Sequence, residues 1–292
     1  MFTHSLDSKR TADLPPEQVQ EGNRTWWTQN PMAYDWRGEL TTPRLSEDWF
    51  RAIDARFIHG ARLFATEREP FDRIIPFERL GGKRVLEIGC GMGLHTELMT
   101  RAGALVTAVD LADASVEATQ RRMEMRGLQA KVLRADAEQL DFDADSFDFV
   151  WSWGVIHHSA RTARIVRTIA RVLCPAGECR IMVYNRDGIG TKLVYIKEHL
   201  LRAGFLRRTF EETLFRTTDG FSARYYVRDQ FEDLLRAFFD EVRGQILGQD
   251  SDAVPLPRKL RGLALRFASE EYLREAQARR GGFLFVTASG PR

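Results

Sequence analysis

The chain is short of cysteine, of long apolar runs and of net charge, and each shortage excludes a class of protein. Cys90, Cys174 and Cys179 are its only cysteines in 292 residues, too few for a disulfide framework. No apolar stretch approaches the ~20 residues a membrane-spanning helix needs. The opening residues, MFTHSLDSKRTADLPPEQ, lack the apolar centre of a secretory signal. Lys plus Arg number 43 against 41 Asp plus Glu, so a net charge of +2 gives no electrostatic footprint for non-specific nucleic-acid binding. The six histidines are scattered apart from the pair His157 and His158, and no Cys spacing suits zinc, so no bound metal is expected. The expectation is a cytoplasmic protein without an integral membrane segment.

What is present is an ordinary globular content, 43% hydrophobic, in a length that buries a real core. Residues 1–21 are polar, carry Pro15 and Pro16, and read as a mobile tail. Residues 22–80 then bring four large aromatics close together in WWTQNPMAYDW, from Trp26 to Trp36. An amphipathic helix follows over 45–66. From Gly81 to Asn185 apolar strands alternate with helices: KRVLEI, ALVTAVD, AKVLRAD, SFDFVWSWG and ECRIMVYN are the strands. That rhythm predicts an α/β fold, a doubly wound and mostly parallel sheet with right-handed crossovers. It breaks at residues 186–223, a helical insert expected to cap a pocket. It resumes over 224–292 with a helix, the strands EVRGQIL and GGFLFVTAS, and a second insert at 249–280 between them.

The strongest motif is VLEIGCGMG. A buried strand runs into Gly89, Gly91 and Gly93, and a helix starts at once. Glycines let backbone approach a ligand closely, and the helix N-terminus presents unpaired N–H groups to an anionic group. Asp110 ends the second strand, where an acid accepts hydrogen bonds from ribose hydroxyls, and Asp136 closes the third, where an acid can bind an adenine amino group. A dinucleotide site prefers G-x-G-x-x-G. Here the last of those positions, counted from Gly89, is Leu94, and the third glycine comes early at Gly93, which opposes that reading.

In sequence, VLEIGCGMG, VTAVDLADAS, ADAEQLDFDADSFDFVWSWGVIHHS and RVLCPAGE resemble the successive motifs of class I S-adenosylmethionine-dependent methyltransferases, nearest to the small-molecule branch of the ubiquinone-biosynthesis type. The likeness covers roughly residues 82–184, with weaker agreement at YYVRDQFEDLLRAFFDEV. It implies a Rossmann-like, seven-stranded sheet whose last strand is antiparallel, with an N-terminal helical lid. By residue it implies that Gly89, Gly91 and Gly93 line the methionine part of S-adenosylmethionine, with Glu87 supporting that end. It also implies that Asp110 holds the ribose, that Leu111 lies beside the adenine, and that Asp136 and Ala137 flank the ring. Trp153 begins the segment facing the reactive methyl group.

Methyl transfer is an in-line displacement, so most of the work is placing the acceptor. A hydroxyl acceptor gains from a general base, which makes His157 and His158 the leading candidates; the alternatives are that one caps the next helix or that no base is used. Relatives that methylate hydroxyls can pair such a His with an acid near the end of the fifth strand, but Val183-Tyr184-Asn185 has no carboxylate. The order D/N-P-P-Y/F of adenine and amide methylation is absent, and Cys174-Pro175 reverses the Pro-Cys of RNA-cytosine enzymes. The expected acceptor is therefore a small molecule, methylated at oxygen ahead of carbon or nitrogen. Tyr34, Arg37, Tyr184 and Tyr225 are expected to reach it. Lys192, Lys197, Arg202, Arg207 and Arg208 either hold an anionic acceptor or form a solvated face. The basic PLPRKLR segment suits peripheral membrane contact or a homodimer.

Overall fold

Val85, Leu86 and Ile88 are almost wholly buried, as expected of a central strand covered on both faces. The computed structural model describes residues 14–35, 38–66, 68–207 and 209–292. Strands β1 (Arg84–Ile88), β2 (Leu105–Asp110), β3 (Lys131–Arg134), β4 (Phe147–Trp153) and β5 (Leu173–Asn185) are parallel, in the order β3-β2-β1-β4-β5. Helices α3 (Leu94–Arg101), α4 (Asp113–Arg126) and α5 (Thr162–Val172) make the crossovers. Strand order reverses between β1 and β4, and doubly wound sheets bind ligands at the carboxyl ends of strands at such a point.

Beyond β5 the sheet continues with β8 (Phe283–Pro291) and then β7 (Phe239–Leu247), and β8 is antiparallel to both neighbours. Seven strands lie on this path, as expected, but the sheet has eight. The two-residue β6 (Tyr225–Tyr226) pairs in parallel with Tyr184 and Asn185. Its origin is an unsatisfied edge. β4 stops pairing at Met182, so the last residues of β5 would expose backbone groups on that side, and β6 fills the gap.

Of the expected tail over residues 1–21, residues 1–13 lie outside the described residues. Residues 16–21, read as mobile, belong to helix α1 (Pro16–Gln29). Pro16 sits at the first helical position, where its fixed φ and missing N–H cost nothing. Val19 and Asn23 are buried. Helix α2 (Glu47–Gly60) starts at Ser46, whose Oγ accepts from Trp49 N–H at 3.2 Å, and it buries Trp49, Phe50 and Ile53. It is pinned to the sheet through Arg122 of α4. That guanidinium is 1% exposed, pairs with Asp54 at 2.6 Å and Glu97 at 3.0 Å, and lies 4.6 Å from the centroid of Phe50.

After β5 come α6 (Ile189–Val194), a π-helical stretch at Tyr195–Leu201 and α7 (Phe210–Thr217), which leave Leu201 and Leu206 exposed. α8 (Arg228–Arg236) leads into β7. The second insert holds α9 (Asp250–Ala253), α10 (Arg258–Leu265) and α11 (Glu270–Arg280). Among the described residues no helix is long and apolar enough to cross a membrane.

Candidate active site

The carboxyl ends of β1, β2, β3 and β4 open into a cavity of about 350 Å³, within the range of small-molecule sites. The glycine loop forms its floor. Gly89 has φ +82°, and a Cβ there would meet Val155 Cγ2 at 2.1 Å, so the loop and the segment after β4 pack too closely for any side chain. Gly91 has φ +53°, and a Cβ there would meet nothing within 4 Å. Both line the cavity. Gly93 does not: it starts α3 in the left-handed region and backs onto Thr119.

Asp110 holds this loop and faces the cavity at once. Its Oδ2 accepts from Gly91 N–H at 3.0 Å and its Oδ1 from Ala112 N–H at 2.9 Å. Burial raises its pKa above the usual carboxylate range, against the pull of these N–H groups and the Ser115 hydroxyl. Leu111, Ala137 and Trp153 are also on the wall, as is Asp136, whose Oδ1 accepts from Gln20 Nε2 at 2.8 Å and from Glu138 N–H at 2.9 Å. Glu87 is not. It is buried behind the loop, where the Thr96 hydroxyl donates to it, and burial pushes its pKa up to about 8.

The two histidines separate. His157 is wholly buried and absent from the wall, with its ring 4.2 Å from that of His158 and 4.0 Å from that of Tyr184. Neither of its ring nitrogens has a partner among the described residues, and burial holds it neutral. That placement removes it as a base. His158 is on the wall. Its Nδ1 lies 2.5 Å from the carbonyl oxygen of Ser222. A carbonyl only accepts, so Nδ1 carries the proton and Nε2 keeps its lone pair. Burial lowers the His158 pKa, while Asp219 and the Ser222 carbonyl oppose the fall, so the ring is neutral near pH 7.

β5 itself brings no carboxylate to the cavity, but the insert does. Asp219, beyond α7, lines the cavity and accepts from the Tyr184 hydroxyl at 2.8 Å. Tyr34 is also on the wall, stacked 4.4 Å from Phe57. Burial, then the charge of Asp219, raises its pKa. Tyr225 stands off the wall and donates to Thr218 Oγ1 at 3.1 Å. Arg37 and Arg208 lie outside the described residues. Lys192, Lys197, Arg202 and Arg207 do not line the cavity, and Lys197 and Arg202 both pair with Glu198. They provide no anion grip there.

Sequence reasoning missed the contribution of α1. Gln20, Asn23 and Trp27 reach the cavity, Asn23 Nδ2 donates to the His158 carbonyl at 2.7 Å, and the Trp27 ring lies edge-on to His158 at 5.1 Å. Their spacing of three and four residues beyond a Pro start was the available signal. His95 was missed as well. It is on the wall, two residues past the glycine loop.

The residues present suit a nucleoside with an amino-acid tail: a glycine-rich loop, a carboxylate already holding that loop, and a second carboxylate one strand further on. Comparison with known proteins agrees. Residues 86–181 match a family model described as a methyltransferase domain. A ubiquinone biosynthesis O-methyltransferase of Methylocella silvestris is 32% identical over 170 residues, 53% of this chain and 66% of that protein. Its counterpart in Caulobacter sp. strain K31 is 37% identical over 155 residues, 52% and 60%. The chain thus spans less than two thirds of either relative. Among solved structures, a Haemonchus contortus phosphoethanolamine N-methyltransferase bound to S-adenosylhomocysteine superposes with a TM-score of 0.55 at 17% identity, covering 96% of this chain and 61% of that one. The PH0226 protein of Pyrococcus horikoshii gives 0.51 at 14% identity, covering 88% and 98%. At such identities these two establish the fold.

Proposed function

We propose that the chain is a class I S-adenosylmethionine-dependent methyltransferase that methylates an oxygen of a small molecule, with His158 as the general base. One observation carries the reading: a single cavity joins the Gly89–Gly91 loop, Asp110 and Asp136 to a His158 whose Nε2 is fixed as a proton acceptor. When bound, the cofactor supplies an electrophilic methyl group on a sulfonium. The chain's own residues do the rest. The loop and Asp110 hold the nucleoside, and the aromatic wall of Trp27, Tyr34 and Trp153 excludes water and favours the sulfonium charge. His158 Nε2 takes the proton from the acceptor hydroxyl as it attacks, while the Ser222 carbonyl holds the ring in the tautomer this requires. Oxygen as the acceptor atom is supported by that basic nitrogen and by the names of the relatives.

The test pairs the two histidines. Mass spectrometry of cell extract incubated with the protein and isotopically labelled S-adenosylmethionine identifies the acceptor. With it in hand, His158→Ala is expected to lower kcat by about 10²-fold or more, and His157→Phe to leave kcat within about fivefold of wild type, because His157 does not reach the cavity. An unchanged kcat in His158→Ala refutes the base assignment. The exposed Leu201, Leu206 and Phe267, flanked by Arg202, Arg207 and Arg266, support peripheral contact with an anionic bilayer surface. Flotation with phosphatidylglycerol vesicles against neutral ones tests that contact, and equal recovery with both argues against it.

A further inference from the structure

His95 occupies the second residue of α3, immediately beyond the glycine loop, is 6% exposed and lines the cavity. Trp151 Nε1 lies 3.1 Å from its Nδ1. An indole N–H only donates, so Nδ1 carries the lone pair. Burial, then the positive charge of Arg122, lowers the His95 pKa to about 3, so the ring is neutral and its one proton sits on Nε2. That Nε2–H has no partner among the described residues. The rings of Phe71 at 4.5 Å, Phe57 at 5.3 Å and Trp153 at 6.1 Å offer no oxygen. Buried donors are almost always paired, so an acceptor is expected from outside the described residues.

We infer that the Nε2–H of His95 donates to the carboxylate of the cofactor's methionine tail. The inference rests on the cofactor reading above and adds a residue to it. Two features favour a carboxylate over a neutral oxygen. The donor stands in the first turn of α3, where unpaired backbone N–H groups and the helix dipole already favour negative charge. It also adjoins the Gly89–Gly91 floor, which takes backbone-close groups, whereas the proposed function gives His158 to the acceptor. The other source of an oxygen is the methyl acceptor itself, and the experiment separates the two.

Two ligands and two variants suffice. S-adenosylhomocysteine carries the carboxylate; 5′-methylthioadenosine has the same nucleoside and thioether without the amino-acid tail. His95→Asn can keep a carboxamide oxygen where Nδ1 stood, preserving the Trp151 hydrogen bond, while deleting the distal donor. His95→Gln reaches further and restores an N–H near the Nε2 position. By isothermal titration, His95→Asn is expected to weaken S-adenosylhomocysteine about tenfold, or ~1.4 kcal/mol, and to leave methylthioadenosine within twofold. His95→Gln is expected to recover most of the loss. Equal losses for both ligands, or no loss for either, overturn the inference and leave the cofactor reading standing; an oxygen on the methyl acceptor is then the partner to test. Failure of the wild type to bind S-adenosylhomocysteine overturns both.

Discussion

Replacing Asp110 by Asn tests the cofactor cradle, because the change is isosteric and its cost is calculable. Each carboxylate oxygen of Asp110 accepts one backbone N–H, from Gly91 at 3.0 Å and from Ala112 at 2.9 Å. A carboxylate offers about four acceptor sites, and a ribose diol that takes the place of the Ser115 hydroxyl reaches the two without a backbone N–H. Hydrogen bonds to a charged group contribute about 1.5–3 kcal/mol each. Two of them give roughly 3–6 kcal/mol, or about 10²–10⁴ in Kd. Asn removes the charge and sets an NH2 group against one of the two backbone donors, so the loop loses an acceptor as well. We expect S-adenosylhomocysteine to bind Asp110→Asn at least about 10²-fold more weakly by isothermal titration. Tm should also fall, since a buried N–H is left unpaired. Asp136→Asn is the control: its carboxamide oxygen can still accept from Gln20 and Glu138, and its loss should stay within about tenfold. If Asp110→Asn binds within threefold of wild type, the ribose does not sit on this carboxylate and the reasoning fails.

Two further outcomes follow from buried charge. Arg122→Met strands Asp54, while Glu97 keeps Arg101 at 2.7 Å, and breaking a buried pair from one side costs about 3–5 kcal/mol. Tm is expected to drop by roughly 6–20 °C, and a change under 3 °C in differential scanning calorimetry would contradict the role given to this anchor. Glu87 has its pKa raised to about 8 in the folded chain, so the folded state holds a proton that the unfolded state releases near pH 4.5. Stability therefore falls as pH rises from that value through 8. Glu87→Gln removes this dependence, and its Tm should overtake wild type progressively above pH 6; parallel Tm curves from pH 5 to pH 9 would refute the buried proton.

Much of the fold was legible because it is written locally. Apolar runs of strand length, helix stops at Gly103 and Gly127, and the glycine loop each depend on residues close in sequence. The cofactor half of the site shares that property, since Gly89, Gly91, Asp110 and Asp136 all lie at the ends of predicted strands. The start of α1 reads as tail because residues 16–21 are polar apart from Pro16 and Val19; the burial of Val19 and Asn23 exists only once the sheet is there to receive it.

By itself, the sequence determined the α/β alternation, the parallel centre and the acidic and glycine positions that line the cavity, all properties of a backbone period and of residue type. Only the tertiary structure decided which of two adjacent histidines meets the cavity, that Asp219 reaches it from the insert, and that His95 Nε2 has no partner among the described residues. The reason is that a proton's location depends on hydrogen bonds such as Trp151 to His95, His158 to Ser222 and Tyr184 to Asp219, whose partners lie 35 or more residues apart along the chain. No spacing rule reaches across that distance; packing of the inserts against the sheet does.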